Sequence, residues 1–145
     1  MHLIVDGYGG DRQRLSDLDF IFDLLDHYPA RIGMTKIMPP YVFKYHGKVA
    51  EDWGISGFVL IAESHISIHT FPDRSHVNVD IFSCKGFATD EAIQNLKAAF
   101  GLATVECRIL ERGLEYPHDP ARAADLVHTE RRAVAQAGAR SSFGE

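Results

Sequence analysis

Alternating apolar and polar positions predict that much of this chain forms β-strands. The clearest case is residues 76–83, where Val77, Val79 and Ile81 occupy every second position, as expected for a strand with one buried face. Comparable runs predict further strands at His2–Tyr8, Thr35–Met38, Tyr41–Tyr45, Gly57–Ala62, Ile66–Phe71 and Thr104–Leu110.

Apolar residues at helical spacing mark a first helix after the first strand. Its stripe runs through Leu18 and Leu25, and this spacing places both residues on one helix face. Ser16 is the predicted N-cap, with Asp19 three residues further on as the second half of a capping box. Pro29 is predicted to end this helix.

A second helix is predicted before the last strand. Ile93, Leu96 and Phe100 form its apolar stripe. Thr89 is the predicted N-cap, and Gly101 is predicted to close the helix because glycine readily adopts the left-handed conformation found there.

The resulting order is β-α-β-β-β-β-α-β, give or take one strand, and it predicts an α+β fold: a two-layer sandwich of mostly antiparallel sheet with helices packed on one face. The 145 residues are the length of one typical domain. After Pro117 the chain becomes rich in Ala, Arg and Ser. We therefore expect a single domain over residues 1–117 and a loosely held, flexible C-terminal tail over residues 118–145.

Composition and charge narrow the functional classes. A net charge of -5 argues against nucleic-acid binding, which needs a basic face. No apolar run approaches the roughly 20 residues needed to span a bilayer, and the N-terminus does not have the pattern of a signal peptide. Cys84 and Cys107 lack zinc-site spacing, so a cytoplasmic setting is expected. Cys107 is expected to be structural.

Two common kinds of reactive site do not fit the polar residues at the start of the fifth predicted strand. His65 and His69 lie four residues apart, about 13 Å along a strand, which is too far for one zinc ion, and no metal is expected. Ser64 and His65 are adjacent and would point to opposite faces of the strand. No G-x-S-x-G elbow surrounds Ser64 either, so a serine hydrolase is not favoured.

The combination of motifs is more informative than any single residue. The run E-S-H-I-S-I-H-T-F-P occupies residues 63–72, D-I-F-S-C occupies residues 80–84, and G-I-S-G occupies residues 54–57. In this order and spacing, the runs resemble the prokaryotic S-adenosylmethionine decarboxylase family. More loosely, the resemblance covers the chain from His2 to Gly113.

This resemblance implies a proenzyme that cuts itself between Glu63 and Ser64. The Ser64 hydroxyl attacks the Glu63 carbonyl, and elimination of the ester converts Ser64 into a covalent pyruvoyl group, the implied cofactor, which forms a Schiff base with the substrate amine. By the same resemblance, Ser56 and His69 assist processing, with His69 in the proton transfers. Cys84 matches the residue that donates a proton to the product carbon.

The implied activity is decarboxylation of S-adenosylmethionine to the aminopropyl donor for spermidine, within polyamine biosynthesis. The implied assembly is a homodimer of processed two-chain protomers in which each site draws residues from both protomers. The family's adenine-stacking aromatic falls on Ala50 here, with Phe43, Tyr45 and Trp53 as nearby aromatic side chains.

An alternative stays open at this stage, because some members that resemble this chain decarboxylate L-arginine or L-ornithine. Glu51 and Asp52 would suit a cationic substrate tail, and Ile66 and Trp53 are further candidate substrate contacts. A non-catalytic homologue that no longer processes itself is a third hypothesis.

Overall fold

A computed structural model describes residues 1–62 and 64–112 of the chain. The strands are β1 (His2–Tyr8), β2 (Tyr41–His46), β3 (Trp53–Ile61), β4 (Ser64–Phe71), β5 (His76–Phe82) and β6 (Thr104–Leu110). The helices are α1 (Arg12–Leu15), α2 (Leu18–Arg31) and α3 (Thr89–Phe100), with one 3-10 turn at Pro72–Arg74. The predicted tail over residues 118–145 lies outside the described residues.

The six strands form one antiparallel sheet in the order β2-β3-β4-β5-β1-β6. The first strand is an interior strand that pairs with β5 on one side and with the edge strand β6 on the other. An antiparallel sheet with helices on one side confirms the predicted α+β two-layer class.

One face of the sheet forms the hydrophobic core with α2 and α3. Alternate residues of each strand point to this face, and those on β1, β3, β4 and β5 are almost fully buried. The core side chains from the sheet include Leu3, Val5, Val59, Ile61, Ile66, Ile68, Val77, Val79 and Ile81. The helices contribute Ile21, Leu25, Tyr28, Ala92, Leu96 and Phe100 to the same cluster.

The other face, which we call the open face, carries the remaining alternate residues and keeps large apolar side chains in solvent. Tyr41, Phe43 and Tyr45 of β2 are 59%, 42% and 53% exposed, and Phe58 and Leu60 of β3 are each 37% exposed. Exposed apolar residues grouped on one face mark a surface suited to binding another molecule.

The start and end of α2 differ from the sequence prediction. Its N-cap is Asp17, whose carboxylate accepts a hydrogen bond from the Phe20 backbone N–H. The predicted cap, Ser16, ends α1 instead. Pro29 does not terminate α2 and lies inside it. Pro29 removes one intrahelical N–H donor, and the helix continues for only two residues beyond it, to Arg31.

Two other predicted elements also differ. Thr89 is the first residue of α3 and not its cap, which is Ala88 without a side-chain hydrogen bond. Gly101 closes α3 in the left-handed conformation, as predicted. The predicted strand Thr35–Met38 forms only an isolated bridge between Lys36 and Ile61, because two prolines follow it and cannot donate to a ladder.

Candidate active site

Ser64 lies at a tight reversal of the chain. Strands β3 and β4 are paired antiparallel up to the Ile61–Ser64 pair, and only residues 62 and 63 connect them. Ser64 is the first residue of β4 and is half-buried. Glu63, the other half of the predicted cleavage site, lies outside the described residues.

Cys84 meets Ser64 through its backbone. The Cys84 N–H donates a hydrogen bond of 3.1 Å to the Ser64 Oγ. The segment after β5 is fixed in place because the Ser83 backbone N–H donates to the Met1 carbonyl and the Ser83 hydroxyl accepts from the Lys85 N–H. We call Ser64 and Cys84 the serine cluster.

Ser56 and His69 form a second contact, further along the same two strands. They are direct cross-strand partners on β3 and β4, and the Ser56 Oγ lies 2.9 Å from the His69 Nδ1. His69 is exposed on the open face. We call Ser56 and His69 the histidine cluster.

A glycine brings β3 and β4 unusually close beside the histidine cluster. A Cβ added to Gly54 would lie 1.7 Å from the Thr70 carbonyl oxygen, so no larger residue fits without moving the backbone. The Thr70 hydroxyl also accepts a hydrogen bond of 2.9 Å from the Ile55 N–H. The G-I-S-G motif thus has a packing role as well as supplying Ser56.

The two clusters do not meet within one chain. Ser64 and His69 are five residues apart on one regular strand, which corresponds to roughly 16 Å. An odd separation also places their side chains on opposite faces of the strand. The sequence run that contains both residues therefore does not indicate that they are in contact.

A pocket adjoins the histidine cluster on the open face. Its volume is about 230 Å³, and it is lined by Phe43, Tyr45, Trp53, Gly54, Ser56, His69, Thr70 and Phe71. Phe43 and Tyr45 were among the aromatic candidates from the sequence. The sequence reasoning missed Phe71 and Thr70, although alternation along β4 places Phe71 on the same face as His69.

The acidic loop before β3 is bound to neighbouring cations. Asp52 forms an ion pair with Arg74, and the Lys44 ammonium lies 4.5 Å from the centre of the Trp53 ring. Glu51 is exposed on the turn. The Asp52 carboxylate is therefore already paired and is not an open binding site for a cationic substrate tail.

Trp53 is held at its indole nitrogen. Its Nε1–H donates a 2.6 Å hydrogen bond to the Asp73 carboxylate, which also accepts from Arg12. The Trp53 hydrogen bond and then the Arg12 hydrogen bond lower the pKa of Asp73 below its usual value. Trp53 thus anchors the loop and contributes one edge of the pocket.

Ile66, a candidate substrate contact from the sequence, lies in the core. Its side chain is 0% exposed, since it points to the helix-covered face of β4. This placement gives the predicted contact no support.

Other titratable groups lie near the serine cluster or at the sheet edge. Burial, and secondarily the neighbouring His2, lower the pKa of His65. Desolvation and then Asp6 raise the pKa of Cys107, whose side chain is exposed on β6.

Residues 1–62 and 64–112 contain no group of three or more His, Cys, Asp or Glu side chains that could hold a metal ion. No helix in these ranges is long and apolar enough to cross a membrane.

The fold is similar to that of a crystal structure of adenosylmethionine decarboxylase from Aquifex aeolicus. The match has a TM-score of 0.63 and 26% sequence identity, and it covers 78% of this chain and 89% of that one. The class of the protein is therefore that of the two-layer α+β decarboxylase domain.

The sequence comparisons identify the family. The family model for S-adenosylmethionine decarboxylase matches residues 1–113. S-adenosylmethionine decarboxylase proenzymes from Acidithiobacillus ferrooxidans and Clostridium botulinum are each 34% identical, over 112 and 113 residues, which is 77% of this chain in both cases and 80% and 92% of those proteins. The chain belongs to the S-adenosylmethionine decarboxylase family.

Proposed function

We propose that this chain is a self-cleaving proenzyme that becomes a pyruvoyl-dependent S-adenosylmethionine decarboxylase. The observation that carries the proposal is the hydrogen bond from the Cys84 N–H to the Ser64 Oγ, 3.1 Å long, at a two-residue chain reversal. It places a polar donor on the oxygen that must react, within the motifs shared with the family.

Processing begins with an acyl shift. The Ser64 Oγ attacks the Glu63 carbonyl carbon, the peptide C–N bond breaks as the ester C–O bond forms, and the hydroxyl proton ends on the freed Ser64 nitrogen. A serine hydroxyl is a weak nucleophile and needs a positioned environment. The Cys84 N–H holds the oxygen in place from the side of β5.

β-Elimination then breaks the ester and separates Glu63 from the residue that was Ser64. A base removes the Ser64 Cα proton, and Glu63 leaves as a carboxylate that keeps the former Ser64 oxygen. The Cys84 N–H stabilises negative charge as it develops on that oxygen. The remaining dehydroalanine tautomerises and takes up water, which releases ammonia and leaves a ketone.

His69 is the proposed base, with Ser56 orienting its ring through the 2.9 Å contact. A general base must come within hydrogen-bond reach of the proton that it removes. His69 is roughly 16 Å along the strand from Ser64 of the same chain. We therefore propose that the base acting at each Ser64 is the His69 of a second copy of the chain.

A homodimer in which the histidine cluster of each copy approaches the β3–β4 reversal of the other would bring the two clusters together. A twofold interface is self-complementary, so each serine cluster would face the histidine cluster of the other protomer. The exposed aromatic residues of β2 on the open face supply the apolar surface. The homodimer with shared sites, expected from the resemblance, is therefore part of the proposal.

Once formed, the pyruvoyl group supplies the electron sink for loss of carbon dioxide. Cys84, directly beside Ser64, is the proposed proton donor to the product carbon. The aromatic pocket, with Phe43 and Tyr45 on one side, suits an adenine ring, since base stacking on aromatic residues contributes about 1–3 kcal/mol in nucleic-acid binders. The product would be the aminopropyl donor for spermidine, made in the cytoplasm.

The arginine or ornithine alternative is not favoured. The similar proteins from Acidithiobacillus ferrooxidans and Clostridium botulinum are named for S-adenosylmethionine, and Asp52 forms an ion pair with Arg74. This leaves less negative charge near the pocket than the sequence implied.

The test is intact mass spectrometry under denaturing conditions after cyanoborohydride trapping, with S-adenosylmethionine, arginine and ornithine supplied together. Two chains cut between residues 63 and 64, with a nucleoside-sized adduct on the second, are expected. The Ser64→Ala variant is the control and should stay whole. An uncut wild-type chain would refute the proposal, and an arginine- or ornithine-sized adduct would reassign the substrate.

A further inference from the structure

A short segment, residues 35–37, is hydrogen-bonded to the chain immediately before the proposed cleavage position. The Ala62 N–H donates a 2.8 Å hydrogen bond to the Thr35 carbonyl, and the Ile37 N–H donates a 3.1 Å hydrogen bond to the Leu60 carbonyl. Lys36 lies between them, in register with Ile61. The end of β3 is therefore held on the side opposite to β4.

This segment is anchored by an ion pair to helix α2. The Lys36 ammonium donates to the Asp26 carboxylate, and the two side chains are 31% and 25% exposed, respectively. Strand β2, which borders the earlier part of β3, begins only after Pro39 and Pro40. The segment is therefore not fixed by a continuous ladder, and the ion pair is a tertiary anchor for it.

We propose that Lys36 and Asp26 are positioning residues for the acyl shift at Ser64. This inference rests on the proposed function. The segment they anchor holds Ala62, on the acyl side of the scissile bond, while the Cys84 N–H holds the attacking oxygen on the other side. Attack requires the two reacting atoms to start about 3–3.5 Å apart, so loosening the acyl side slows the first step.

The proposed role of the Lys36–Asp26 ion pair is confined to ester formation. This distinguishes it from a general loss of stability, which would not affect one processing step alone. Removal of the anchor should slow formation of the ester, so the ester does not accumulate. Removal of the proposed base, His69, should instead leave the ester to accumulate, because elimination follows ester formation. Hydroxylamine, which cleaves esters and leaves peptide bonds intact, distinguishes the two cases.

The experiment follows cleavage of freshly synthesised full-length chain over time by denaturing gel. Lys36→Met and Asp26→Asn should each slow cleavage about five-fold or more, with no hydroxylamine-sensitive ester. The exchanged pair, Lys36→Asp with Asp26→Lys, should recover most of the rate. Lys48→Met, at an exposed loop lysine, is the matched control and should cleave like the wild type.

A second readout isolates the processed enzyme. Once cut, Lys36→Met chains should decarboxylate at the wild-type rate per cut chain, because the ion pair acts before the new end exists. Wild-type cleavage rates in Lys36→Met and Asp26→Asn, or ester accumulation in them, would overturn the inference while the proposed function stands. If the wild-type chain is not cut at all, the proposed function itself fails.

Discussion

The separation between the two clusters makes a prediction that can be tested with pairs of inactive chains. The Ser64→Ala chain has no nucleophile, and the His69→Ala chain has no proposed base. Each variant expressed alone should remain uncut, because every dimer then contains two copies of the same variant. Co-expressed, a mixed dimer unites an intact Ser64 with an intact His69 from the other protomer.

The expected yield follows from the geometry and from random pairing. Within one chain, Ser64 and His69 are roughly 16 Å apart, far beyond the 2.6–3.2 Å reach that proton transfer requires. With equal expression and a symmetric dimer, about half of the His69→Ala chains pair with the other variant. About half of all the His69→Ala chains should therefore be cut, and the Ser64→Ala chains should not be cut.

The assay uses a C-terminal tag on one variant so that the two chains differ in mass. The matched control co-expresses His69→Ala with the doubly substituted Ser64→Ala, His69→Ala chain, which cannot supply the imidazole. Efficient cleavage of His69→Ala alone would refute a required role for His69. Absence of any cut product in the active mixture, with mixed dimers present, would refute the shared-site geometry.

Three further predictions concern stability. Lowering the pH from about 7 to 5 should reduce the free energy of unfolding. His65 has a lowered pKa in the folded chain, so the unfolded chain binds the proton more readily. The His65→Gln variant should therefore show a flatter dependence of the free energy of unfolding on pH over this range. Tyr28→Phe removes the buried hydroxyl that donates 2.8 Å to the Ala92 carbonyl and should cost about 1–2 kcal/mol in urea unfolding. Gly54→Ala forces a Cβ to within 1.7 Å of the Thr70 oxygen and should cost about 3 kcal/mol, the upper end for overpacking.

Controls for these substitutions are available in the chain. Gly86→Ala places a Cβ in open space and should leave the unfolding midpoint nearly unchanged. Equal effects of the two glycine substitutions would contradict the close-approach argument. A pH profile unaltered by His65→Gln would show that other groups cause the acid sensitivity.

Alternation along the chain was enough to predict most of the sheet. Strands β1 and β6 have the predicted bounds, and the other strand predictions differ at their ends. A period of two is a strong signal wherever one face is buried, as on β1, β3, β4 and β5. Thr35–Met38 has a similar local pattern but has only a bridge to the end of β3. Which neighbour a strand finds depends on the tertiary fold and is not visible in a local pattern.

Site residues were recognisable by motif, but their spatial grouping was not. Ser64 and His69 lie in one continuous run, which suggests a single site, yet strand geometry separates them. Ser64 and Cys84 are twenty residues apart in sequence and are joined by a hydrogen bond. Asp52 looked available for a cation until Arg74, on the 3-10 turn, was placed beside it.

The position of β1 within the sheet determines what a cut between residues 63 and 64 would leave behind. The first piece supplies β1, β2 and β3, and the second supplies β4, β5 and β6, yet β1 is hydrogen-bonded on both edges by strands of the second piece. The pieces are thus interleaved, and separating them means breaking three strand pairings at once: β3 with β4, and β1 with both β5 and β6. Refolding after denaturation would then depend on encounter between the pieces, at a rate set by concentration, whereas an uncut chain carries all six strands together.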